Sequence, residues 1–166
     1  MTETSPTDDN TITFDSRDQA ALLAQELIDL ASQEICIFGP IIDHVLYDDA
    51  SLVNKLSEFV RRSPRRRIRI LVNDTRKNVV DSHRILPLAQ KLTSSIEIHI
   101  NHQKYQDMHQ QFLLVDSRAY LFCPNAERYQ GRASKDSPAA VRDMKLQFEE
   151  YWSHSRPDPN SRRLHL

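Results

Sequence analysis

Met108-His109-Gln110-Gln111-Phe112-Leu113-Leu114-Val115-Asp116, followed closely by Ala119-Tyr120-Leu121-Phe122, is the stretch that decides the fold. A polar start, four apolar residues and then an acid describe a short strand buried on both faces, with polar chemistry at each end. Two such runs separated by Ser117-Arg118 predict an antiparallel hairpin.

Outward from this hairpin the chain alternates strands with helices. Thr11-Ile12-Thr13-Phe14 reads as an edge strand. Ser16-Arg17-Asp18-Gln19 has the capping-box form, and Ala20, Leu23, Ala24, Leu27 and Ala31 continue at helical spacing. Glu34 to Phe38 is a buried strand that ends at Gly39-Pro40. A loop from Ile41 leads to Asp48-Asp49, read as the cap of a second helix with Leu52, Val53, Leu56, Phe59 and Val60 inside. Arg67 to Val72 is the next strand. A third helix is expected over 81–92, then a strand at Ile96 to Ile100. Asn125 to Asp136 reads as a polar loop, and Ser137-Pro138 opens a last helix whose apolar side is Val141, Met144, Phe148, Tyr151 and Trp152. That side is expected to be core rather than a dimer face. The order predicts an α/β fold with a mixed, mainly parallel sheet flanked by helices. The expected layout is a tail at 1–10, one domain at 11–155 and a C-terminal tail at 156–166, the last folded back through Leu164 and Leu166.

The totals exclude several classes. Among 166 residues only Gly39 and Gly131 are glycine, so a glycine-rich phosphate loop and a dinucleotide fingerprint are out. The formal charge of -1 names no partner. Cys36 and Cys123 sit among apolar residues, as buried thiols do. With no signal-like start and no long apolar run, the expectation is a cytoplasmic protein with no membrane segment. No cofactor is expected. His99, His102 and His109 fit no ligand spacing, so no metal is expected either.

His109, Gln111 and Asp116 stand at the spacing of a known signature: His, one residue, Lys, four residues, Asp. In this the chain resembles the phospholipase D superfamily, in the manner of degenerate single-motif bacterial domains of uncharacterised function. The element order from about Thr13 to Trp152 is similar to one half of that fold. The resemblance implies a nucleophilic His109, an acid at Asp116 and phosphoryl-holding positions at Gln111 and Asn125. It also implies that a complete site needs two copies, hence a homodimer. Two departures stand out. Gln111 occupies the lysine position, and Cys123-Pro124 replaces the downstream Gly-Ser, with Asn125 one residue early. Gln can donate a hydrogen bond but carries no charge. Losing one preorganised donor costs about 10²–10³ in rate, and a symmetric dimer loses it twice. Arg69, Arg76 and Lys104 are the candidate replacement cations.

Ligands on such sheets gather at the carboxyl ends of strands, here Gly39 to His44, Asn73 to Lys77 and the loop near Asn101. Near this rim His83 and Arg84 begin a helix and, with Asp74 and Arg76, could form an anion pocket at its N-terminus, although the favoured reading of His83 is a surface residue. Between Arg61 and Lys77 eight basic residues face one acid. This cluster reads either as a nucleic-acid contact through Arg61 to Arg69 or as a solvated helix end; the second is favoured. Arg69, inside a strand, needs an anionic partner, with Glu97 or Asp116 expected. The leading reading is a non-catalytic phospholipase D-like module that binds a phosphate-bearing or other anionic ligand, or acts as an accessory or dimerisation domain. The alternatives are a homodimeric phosphodiesterase using His109 and a nucleic-acid binder.

Overall fold

The computed structural model describes residues 10–162. Its elements are β1 (Ile12–Phe14), α1 (Arg17–Asp29), β2 (Glu34–Gly39), α2 (His44–Tyr47), α3 (Ala50–Arg61), β3 (Arg67–Val72), α4 (Arg76–Val80), α5 (Ile85–Lys91), β4 (Ile96–Ile100), β5 (Gln111–Val115), β6 (Ala119–Cys123), β7 (Gly131–Ser134), α6 (Pro138–Ser153) and β8 (Arg156–Pro157). The strands form one sheet in the order β1-β7-β6-β5-β2-β3-β4-β8.

The α/β layering matches expectation, and the balance of strand directions does not. Only β2-β3 and β3-β4 are parallel; the other five pairings are antiparallel. The parallel part is the section built by helical crossovers. The β5–β6 hairpin, with Val115 opposite Ala119, turns the sheet antiparallel, and β7 and β1 continue that way.

Alternation along the strands divides the core. Ile35, Ile37, Leu113 and Leu121 pack with α1, α3 and α5 on one face. Cys36, Phe38, Phe112, Leu114 and Tyr120 pack under α6 on the other. Both faces are covered, which is why the central strands read as unbroken apolar runs. Phe38 and Phe112 stack with ring centres 4.6 Å apart. Met144, Tyr151 and Trp152 pack against this second layer, so the aromatic side of α6 is core, as expected.

The helix expected over 81–92 starts later, as α5 at Ile85–Lys91, and a separate short helix, α4, precedes it at Arg76–Val80. Ser82 sits at φ 54, in the left-handed region, and breaks the helix between α4 and α5. Pro87 then falls near the start of α5, where it is tolerated. The 125–136 loop hides a strand, β7, at the sheet's β1 side. Residues 156–162, expected as tail, instead add β8 beside β4 and a 3-10 turn at Pro159–Ser161. The Asp158 carboxylate there is buried and accepts from the Thr75 hydroxyl. The expected contacts of Leu164 and Leu166, and the tail at 1–9, lie outside the described residues.

Arg69 does not pair with Glu97 or Asp116. Glu97 takes Arg67 instead. The Arg69 guanidinium points to the α6 face, where it donates to both carboxylate oxygens of Glu149 at 2.8 and 2.6 Å and lies 3.3 Å from Glu34. Phe148 and Trp152 flank it at 5.0 and 5.2 Å. Lys145 completes the cluster with a 2.6 Å bond to Glu34. Arg69 is therefore a clamp between sheet and helix, on the face opposite the helices that frame the candidate site.

Candidate functional site

The carboxyl end of β2 meets the amino end of β5, since Phe38 is opposite Phe112. A Cβ at Gly39 would lie 3.2 Å from the Gln111 Cβ, so glycine lets the two strands close up where the motif begins. A cleft of about 740 Å³ opens here. His109, Gln111 and Asn125 all line it. So do Asp43, His44 and Lys77, which lie in the expected rim loops without having been singled out, and Tyr129 and Arg17, which lie outside them.

Asp43 organises the floor. It is 6% exposed and caps α2, accepting from the Leu46 amide at 3.0 Å through one oxygen. Its other oxygen accepts from the Gln111 side-chain amide at 3.1 Å and the Tyr129 hydroxyl at 2.9 Å. The Gln111 amide also approaches the Ala126 carbonyl at 3.4 Å. Burial, then the Asp43 charge and its hydrogen bond, push the Tyr129 hydroxyl up, so it stays protonated and donates. Burial and Asp43 likewise push the Cys123 thiol up to about 12, which leaves it inert as a nucleophile.

His109 is exposed at the mouth, and its backbone carbonyl accepts from Ala126. Two cations reach this mouth. Lys77 is bonded to Asp81 at 2.7 Å, and Arg17 lies 5.5 Å from the centre of the Tyr129 ring. Glu127 shares the rim.

The remaining candidates are elsewhere. Asp116 closes the far end of β5, roughly 20 Å along the strand from His109. It sits at φ 55 and accepts from the amides of Ser32, Gln33 and Glu34 and the Ser32 hydroxyl, so it fastens the α1–β2 turn. Asp74 and Arg76 occupy the same sheet rim but line a separate cavity with Asp158 and Asn160, and they pair with each other at 2.7 Å. His83, expected at the surface, is buried. The Ile85 amide donates to its Nδ1, which leaves Nε2–H to donate to the Asp43 carbonyl at 3.2 Å. Burial lowers its pKa, so it props the Asp43 loop as a neutral ring. Of the expected replacement cations, none lines the cleft: Arg69 is under α6, Arg76 is with Asp74, and Lys104 lies over Tyr105. Among the described residues no cluster of three or more His, Cys, Asp or Glu could hold a metal, and no helix is long and apolar enough to cross a membrane.

A family model described as "Domain of unknown function (DUF7931)" matches residues 16–164. The chain belongs to this family. No curated protein matches the DUF7931 chain. Solved structures share its fold at low identity. Nuc, a phospholipase D family member from Salmonella typhimurium, gives a TM-score of 0.63 at 15% identity, over 89% of this chain and 97% of its own. NucT from Helicobacter pylori gives 0.65 at 10%, over 89% and 98%. TrmBL2, an archaeal chromatin protein that binds DNA, gives 0.65 at 16%; the match covers 93% of this chain but only 57% of TrmBL2. The DUF7931 chain thus has the fold of phospholipase D-like proteins.

Proposed function

We propose that this chain is a non-catalytic phospholipase D-like module whose cleft holds a phosphate-bearing ligand. One observation carries the reading. The side chain at the lysine position of the motif is a neutral amide, and it is spent on a buried carboxylate. Phosphoryl transfer is positioning plus neutralisation of the charge that grows on the phosphoryl oxygens. Asp43 opposes that charge, and Gln111 brings none to meet it. Asp116 cannot help, since it is bound to the α1–β2 turn. The mouth still suits an anion: Arg17, Lys77, His109 and Asn125 offer donors to phosphate oxygens, with Glu127 at the rim and Asp43 on the floor against them.

The test uses a para-nitrophenyl phosphodiester, both as substrate and as ligand. Expected are no turnover, and saturable shifts in proton–nitrogen spectra at Lys77, His109 and Asn125 that weaken in His109→Ala. Turnover that His109→Ala abolishes would restore the phosphodiesterase reading. Absence of binding would remove the ligand.

A further inference from the structure

A second groove, of about 650 Å³, runs between α3 and α5. From α3 it is lined by Ser51, Asn54, Ser57 and Arg61, spaced three, three and four residues apart, which is one stripe of a helix. From the α5 side come Arg84 and Lys91. No carboxylate and no aromatic ring lines it. Arg61 donates through Nε to the Ser57 hydroxyl at 2.9 Å, so its two terminal amino groups are turned to no anion among the described residues. Arg84 pairs with Asp48 at 3.1 Å on one side, and its side chain remains 57% exposed. Lys91 has no anionic partner among the described residues.

The arginine-rich stretch therefore splits. Arg61 enters the groove. Arg62 and Arg66 line the other flank of α3, beside Asp29 and Glu58. Arg67 is paired with Glu97, and Arg69 lies under α6. The sequence cluster is not a single patch; one of its arginines, on α3, instead meets two cations from the α5 side.

We infer that this groove binds the phosphodiester backbone of double-stranded nucleic acid. Guanidinium, ammonium, hydroxyl and amide side chains are the donors that take phosphate oxygens and carry no base information. Without a ring to stack on, unpaired bases gain nothing here, so a duplex is preferred over a single strand. A recess between two helices receives a ridge, which a backbone presents and a flat bilayer surface does not. The site shares no residue with the cleft, so it stands apart from the reading above.

Fluorescence anisotropy with a labelled DNA duplex, its single strand and polyglutamate tests the assignment. Expected is salt-sensitive duplex binding with a log–log slope of about -2 to -3, since each phosphate contact contributes roughly -0.9. Arg61→Gln with Lys91→Gln lowers affinity by about tenfold or more and flattens the slope by about 2. Arg62→Gln with Arg65→Gln, an equal change of charge outside the groove, has a much smaller effect. No duplex binding at low salt, equal loss in both double variants, or equal affinity for polyglutamate or single strand would overturn the proposal. Each site can fail alone: His109→Ala reads the cleft, and the Arg61 and Lys91 pair reads the groove.

Discussion

The carboxylate of Asp43 collects hydrogen bonds from Leu46, Gln111 and Tyr129 and pairs with no cation among the described residues. Such a group depends on every donor it has, because a buried charge left short of partners is costly. Gln111→Leu should therefore destabilise the fold by about 1–3 kcal/mol, read as a shift in the urea midpoint. If the change is neutral, Gln111 is not a structural partner of Asp43. The same reasoning applies to Asp116, which receives three backbone amides. Asp116→Ala removes the acceptor and puts a Cβ residue without local hydrogen bonds at positive φ. A loss of about 2–4 kcal/mol is expected, and Asp116→Asn should recover part of it. The spacing of His109, Gln111 and Asp116 was legible, but their roles were not. A strand interior of known length places the acid at the opposite end from the histidine, so the motif can persist while its two ends do unrelated work.

Among the elements, the central strands and the α1, α3 and α6 boundaries were readable because their residues are apolar on a regular period and carry clear caps. Ser16 accepts from the Gln19 amide and Asp49 from the Leu52 amide, as their positions suggested. Two strands, β7 and β8, were hidden. β7 is only Gly-Arg-Ala-Ser, with no apolar alternation to reveal it. Its glycine is required by close approach, because a Cβ at Gly131 would lie 1.9 Å from the Phe122 carbonyl oxygen. Gly131→Ala should thus push β7 from β6 and cost about 3 kcal/mol. Hydrogen exchange would check it: protection should fall first across β6, β7 and β1. Uniform protection would show that the strands absorb the methyl. α2 was equally hidden, since four residues after Ile41 give too short a period to see. Asp43 therefore escaped notice as a cap, and with it the floor of the cleft.

For the molecule as a whole, the buried ionisable groups set an acid profile in two steps. Burial holds His83 and His99 below their ordinary value of 6.5. The unfolded chain then binds more protons just below that pH, so stability falls as pH drops from about 6.5. Burial raises Glu34, but the Lys145 bond and the Arg69 charge outweigh it, and Arg69 holds Glu149 down as well; both carboxyls lie below their ordinary 4.5. Their contribution is present above about 4.5 and disappears as pH falls through the lowered folded values. Because the Glu149 side chain is 46% exposed and its pairing is screened by water, the second step should be modest. Urea midpoints from about pH 8 to about pH 3.5 should show both declines. A flat profile between 7 and 5 would rule out His83 and His99 as its source. This coupling could not be read from sequence, because Arg69 and Glu149 are 80 residues apart and meet only once α6 crosses the sheet.

The two margins of the sheet have a consequence for self-association. One ends in the three residues of β1, the other in the two of β8, and Pro157 has no amide hydrogen to offer. Among the described residues each rim offers a neighbouring backbone only a short template to zip onto. Growth of one copy onto another through these outermost rungs is disfavoured by their shortness.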